Sequence, residues 1–213
     1  MTRACVLAIL LVLSLGGAKA AASKPAVPRQ AANAAGFAPA GWRVEKAMRA
    51  DLSGDGVADL AIVLIERGTG DRLRQLVVAK GSSTGFTRSG VSARLLGCTR
   101  CGGAFWGVLA MPVHLSVESG SLLVEQLGGS RELLETVHRL RIEANGRVRL
   151  IGIDADSSDR ATGNAKHVST NYLTGAQQIE FVVRGRVSTR RTRTVATSPR
   201  YLESLRGRDR LGT

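Results

Sequence analysis

"HRLRIEANGRVRLIGID", residues 138–154, decides the fold. Leu140 and Ile142 alternate with Arg139, Arg141 and Glu143 ahead of Asn145-Gly146, and Val148 and Leu150 alternate with Arg147 and Arg149 after it. An Asn-Gly pair between two period-two runs predicts a β-hairpin, because both residues tolerate positive φ. One face of this hairpin is apolar and the other a row of arginines, so one face meets water.

The same pattern extends in both directions. "LAIVLIERGTGD" (60–71) and "RLRQLVVAK" (72–80) read as two strands joined through Gly68-Thr69-Gly70-Asp71. "VHLSV" (113–117) alternates, turns at Glu118-Ser119-Gly120-Ser121 and continues as "LLVEQL". "AQQIEFVVRGRVSTRRTRTVA" (176–196) offers two further strands, and Ser198-Pro199 has the signals of a short helix through Leu205. The expected fold is all-β, an antiparallel meander or sandwich with a short C-terminal helix.

The N-terminus predicts export. Met1-Thr2-Arg3 is a positive start, Ala4–Leu15 an apolar run, and Ala18 and Ala20 a small-x-small cleavage site, so residues 1–20 read as a signal peptide. No later run has the length of a transmembrane helix. Residues 21–40, rich in Ala with Pro25, Pro28 and Pro39, read as a flexible spacer, and residues 41–213 as a single β-rich domain. The expected location is the periplasm or the extracellular space.

The formal charge is +13. Export argues against nucleic acid and leaves an envelope protein or an anionic polymer as the partner. Only five of the 30 basic residues are Lys, a bias that reads as a GC-rich composition. In the C-terminal run, a strand period places Arg184, Arg186 and Arg190 on one face and Arg191 and Arg193 on the other. That split argues for a charged sheet edge over a single anion-binding patch.

"ADLSGDGVADLAIVLIE" (50–66) holds the one motif with metal-ligand spacing. With Asp51 as position one, Ser53, Asp55 and Asp59 fall at three, five and nine, the Val57 carbonyl at seven, and Gly56 at the sharp turn of a calcium loop. Ile62 stands where a helix-loop-helix site needs its closing Glu, which excludes that version. The other reading is an Asx-rich turn that caps its own backbone. The complete register favours calcium, at the weak affinity of extracellular modules.

The stretch "DLSGDGVADLAIV" is similar to the FG-GAP (VCBS-type) repeat, whose motif D-x-N-G-D-G-x-x-D-L binds calcium between propeller strands. Here Ser53 replaces the usual Asn or Asp, and one copy excludes a propeller. The order of "GWRVEKAMRADLSGDGVADLAIVL", "CGG", "LGGS", "LIGIDADSSDRATGN" and "STNYLTG" resembles a family of uncharacterised exported bacterial proteins with a single FG-GAP-like motif. That resemblance implies fold and location and brings no activity.

Cys98 and Cys101 form a C-x-x-C followed by Gly102-Gly103, outside any βαβ context. In an oxidising compartment this predicts a small disulfide ahead of a redox pair or a zinc site. Asp154, Asp156 and Asp159 are read as a solvated loop, with a second cation site as the alternative. His114, His138 and His167 are read as strand-surface residues. No catalytic motif is present. The expected function is a non-enzymatic exported β-domain with a calcium loop and an envelope interaction or structural role. The alternatives are a hydrolase of an envelope polymer, marked by a cleft with two carboxylates, and an anionic-polymer binder, marked by a contiguous basic face.

Overall fold

The alternation around Asn145-Gly146 becomes the central hairpin of the computed structural model, which describes residues 26–103 and 113–205. Among these residues, thirteen antiparallel strands form two sheets. In the first, β1 (Gln30–Ala31), β5 (Gly85–Ser92), β4 (Arg74–Ser82), β3 (Asp59–Glu66) and β2 (Trp42–Ala50) lie side by side. The second runs β12 (Arg186–Thr194), β11 (Ala176–Val183), β10 (Asn164–Asn171), β9 (Val148–Asp159), β8 (Glu132–Ile142), β7 (Ser121–Gly129) and β6 (Val113–Glu118), with β13 (Arg200–Tyr201) added to β9. This larger sheet curves into a half-barrel. The expected all-β antiparallel class is what forms, and the expected terminal helix shrinks to a 3-10 turn at Leu202–Ser204.

One core lies between the sheets. Ala61, Val63, Leu76 and Val78 of the first meet Leu122, Val124, Leu140, Leu150 and Ile153 of the second. On the hairpin, Leu140, Ile142, Val148 and Leu150 are buried while Arg141 and Arg147 are exposed, as the alternation requires. His138 corrects the surface reading of the histidines: it lies on this inner face opposite Val124 and Ile153 and is fully buried.

The spacer and the domain boundary at residue 41 also require correction. A second core covers the outer face of the first sheet, where Leu60, Ile62, Leu64, Val77 and Ala79 pack against Val27, Phe37 and Trp42. Residues 26–40 are therefore part of the domain. Asn33 caps a 3-10 turn at Ala34–Phe37 by accepting from the Gly36 N–H, and Phe37 is fully buried. β1 pairs with β5 in the register Gln30↔Thr87. The physical reason is that β3 is apolar at every position from Leu60 to Ile65, so it needs a cover on both faces, and burial of each large side chain contributes about 1.5–3 kcal/mol. Residues 1–20, read above as a signal peptide, lie outside the described residues.

Candidate functional site

Two polar regions stand apart from the cores. The first is the aspartate loop between β2 and β3. Asp51 accepts the Gly54 N–H (2.7 Å) and the Asp55 N–H (3.2 Å) on Oδ1 and the Gly56 N–H (2.9 Å) on Oδ2. These bonds, led by that from Gly56, hold its carboxyl below the usual range. Gly54 and Gly56 take positive φ (77° and 81°), the conformation this curl requires. Asp55 accepts the Val57 N–H (2.9 Å) and places Oδ2 3.0 Å from the Lys80 ammonium; both contacts lower its pKa, the Val57 bond foremost. Asp59 is fully buried and accepts three backbone amides, those of Leu52 (2.9 Å), Ser53 (2.8 Å) and Gly81 (2.8 Å).

Every carboxylate of the loop is thus committed to the protein itself. Strand β4 closes the loop from the side. A Cβ on Gly81 would stand 2.2 Å from the Ala58 carbonyl oxygen, so only glycine permits the approach that brings its N–H to Asp59. Leu52, drawn down by Asp59, is 2 % exposed and packs into the inter-sheet core. Lys80 reaches back over the loop, and Asp55 foremost, then Asp59 and Asp51, raise its pKa. Lys80 carries the positive charge among the aspartates.

Within the calcium set Asp51, Ser53, Asp55, Val57 and Asp59, two carboxylates already have partners of their own. Asp59 is turned into the interior, and Asp55 is paired with Lys80. The Ser53 hydroxyl is the one donor left over: it is buried near Asp55 and makes no hydrogen bond of good geometry. Among the described residues, no three His, Cys, Asp or Glu side chains gather in a metal-holding arrangement. Cys98 and Cys101 are joined, with Sγ atoms 1.99 Å apart.

The second region is the free end of the large sheet. Cross-strand partners share a face, so the inner face can be followed outward from the core in rows. His138, Ile153, Thr170, Gln177 and Arg193 form one row across β8 to β12. The next is Thr136, Ala155, Val168, Ile179 and Arg191, and then Leu134, Ser157, Lys166, Phe181 and Thr189. Exposure rises along them: Thr136, Ala155 and Val168 are buried, whereas Leu134, Ser157, Lys166 and Phe181 are half-buried. The last rows line a trough of about 370 Å³ that includes Lys166, Phe181, Glu132 and Asp159.

The register of β12 corrects the split expected for its arginines. A bulge at Ser188 separates the pair Val182↔Val187 from the pair Phe181↔Thr189. Beyond it every face assignment changes by one residue, so Arg186, Arg191 and Arg193 share the inner face and Arg190 alone points outward to Glu180. Arg191 lies over the Phe181 ring, 5.8 Å from its centroid. Arg193 donates to Gln177, which donates to Thr170 (2.8 Å), so a hydrogen-bonded ladder ties the edge to the buried interior. Among the described residues, no carboxylate lies within ion-pair distance of Arg186, Arg191, Arg193 or Lys166.

The expected loop at Asp154, Asp156 and Asp159 is strand. β9 continues to Asp159, which puts Asp154 and Asp156 on the outer face and Asp159 on the inner. Asp154 binds Arg139 and Ser169, Asp156 contacts His167 Nδ1 at 2.5 Å, and Asp159 pairs with Arg131. The pleat therefore keeps the three from forming one cation site. Arg131 first, and then the Ala161 N–H, hold the Asp159 carboxyl at about 2.

Lys80, Gly81 and the Ser188 bulge went unread in the sequence. Their roles come from pairing register, which no local motif carries. Comparisons with protein-family models, curated proteins and solved structures return no match for this chain. Fold and site define the class, a two-sheet antiparallel β-domain with a self-capped aspartate loop and a basic open face.

Proposed function

We propose that this chain is an exported, non-enzymatic β-domain that binds an acidic partner in the cell envelope through the open inner face of its larger sheet. One observation carries the reading. The Ser188 bulge gathers Arg186, Arg191 and Arg193 on the face that holds Lys166 and Phe181, where no carboxylate among the described residues forms an ion pair with them. Four unneutralised cations around an aromatic floor form a surface for an anionic ligand, by steering and by charge-assisted hydrogen bonds.

The hydrolase reading finds two carboxylates in the trough, Glu132 and Asp159, on opposed positions of β8 and β9. Asp159 does not suit the acid role. Its carboxyl accepts two bonds from Arg131 and titrates at about 2, so it holds no proton to donate near neutral pH. In this proposal the aspartate loop acts as a structural clasp, with Lys80 in the place of a metal ion.

The test is capture from envelope extract by the tagged chain and by the Arg186→Glu/Arg191→Glu/Arg193→Glu variant. A component retained by the wild type, released by salt and lost in the variant is the expected result. Equal capture by both proteins overturns the reading. Export is checked separately, by secretion of a reporter enzyme fused after residue 25.

A further inference from the structure

Resting on that reading, we infer that the acidic partner is an extended peptide segment that adds to the larger sheet as a further strand beside β12. Among the described residues, β12 ends the sheet, pairs only with β11, and is exposed at all nine of its residues. Past the Ser188 bulge, Thr189–Thr194 run in unbroken register against Phe181–Ala176. This is a straight six-residue seat, and an edge strand turns the amides and carbonyls of alternate residues toward an incoming chain.

The other edges among the described residues offer shorter unbroken seats, since Lys46 takes the first carbonyl of β6 and the bulge in β2 leaves five residues in register. β6 has six residues, and Lys46 of the first sheet donates to its Val113 carbonyl. β2 is interrupted by a bulge between Val44 and Lys46, and β1 is two residues long. Thr189–Thr194 is the longest unbroken seat among these edges.

Its side chains choose the occupant. The seat reads T-R-R-T-R-T and contains no acid. Arg191 and Arg193 stand two apart on the inner face and Arg190 on the outer. A second copy of β12 would bring the same arginines together, and like charges across a strand pair are unfavourable. An acidic strand meets the opposite condition: Asp or Glu at alternate positions falls beside Arg191 and Arg193, while the backbones hydrogen-bond. Val187, 55 % exposed just before the seat, gives such a peptide one apolar contact at its end. The arginines that block unwanted self-association thus also specify the sign of the partner.

The test uses the full chain and a fluorescein-labelled peptide of alternating Glu and Val, read by anisotropy. Two controls carry N-methyl groups on alternate residues, one in each register, and a third replaces Glu by Lys. The expected result is salt-sensitive binding of the Glu peptide that weakens about tenfold or more in one N-methylated register, as loss of two or three hydrogen bonds requires. Arg191→Glu/Arg193→Glu, with an unchanged melting curve, should reject the Glu peptide and take the Lys peptide. If both N-methylated peptides bind like the parent and polygalacturonate competes fully, strand addition falls while an acidic ligand on the open face stands. If neither peptide nor polygalacturonate binds with salt sensitivity, both fall.

Discussion

The aspartate loop and the β12 edge are both densely charged, and they dispose of their charge in opposite ways. In the loop, three carboxylates are satisfied from within by seven backbone amides and by Lys80. At the edge, three arginines share a face on which no carboxylate among the described residues lies within ion-pair distance of them. Charge satisfied internally serves stability, because removing it leaves polar groups stranded. Charge left open contributes little to stability and is available to a ligand.

The largest expected effect is at Asp59. Replacing it with Ala strands three backbone N–H groups beside a core residue, and the cost should be about 3–5 kcal/mol in urea unfolding. A loss below about 1 kcal/mol would remove the contrast between the regions. Lys80→Met should cost less, because its ammonium is reachable by water. It should also expose the loop's charge: wild-type melting temperature should not move with millimolar calcium, whereas the Lys80→Met protein should be restored by it through mass action. Calcium stabilisation of the wild type would show the ion outcompeting Lys80 and return the loop to the metal-binding class.

Acid comes next. Asp51 and Asp55 have folded-state pKa values below the unfolded reference of about 3.9. Their contribution is complete above that reference and is lost as pH falls through the lowered values. Melting temperature should therefore decline more steeply below pH 4 in the wild type than in Asp51→Asn/Asp55→Asn, with the curves converging in acid. The Arg131–Asp159 pair adds a similar loss between about 4 and about 2. The smallest effect belongs to the edge. Arg190→Gln/Arg191→Gln/Arg193→Gln should change unfolding free energy by no more than about 0.5 kcal/mol. The same variant should self-associate, visible in sedimentation at rising concentration.

The strands were legible where a local period states them. Residues 138–154 announce both faces and the turn, and "VHLSV" does the same for β6. The cover of the first sheet was less visible, because Val27 and Phe37 are single apolar residues in an Ala-rich stretch without period. A signal was nonetheless present: six consecutive apolar residues in β3 demand two covers, and the inter-sheet core supplies one. At the site, the aspartate spacing correctly announced a tight loop with glycines at its bends. It did not announce which partner each carboxylate takes, because Lys80 and Gly81 reach the loop through strand pairing. The arginine faces failed for a similar reason. A one-residue bulge inverts every later assignment, and nothing in "RVSTRRTRT" marks Ser188 as the extra residue.

The β1–β5 pairing sets an order of events during synthesis. Gln30 pairs with Thr87, and the Arg88 guanidinium holds the Val27 carbonyl, so residues 26–31 have no complete seat until the fifth strand exists. Until then the outer face of β3 and β4 is bare. Residues 26–40 thus wait for four later strands before they can dock, closing a long loop, and such non-local closure slows folding and leaves sticky intermediates. Residues 26–40 act as a built-in latch: a chain nicked ahead of Gly41 would retain both sheets and show a greasy flank to its neighbours.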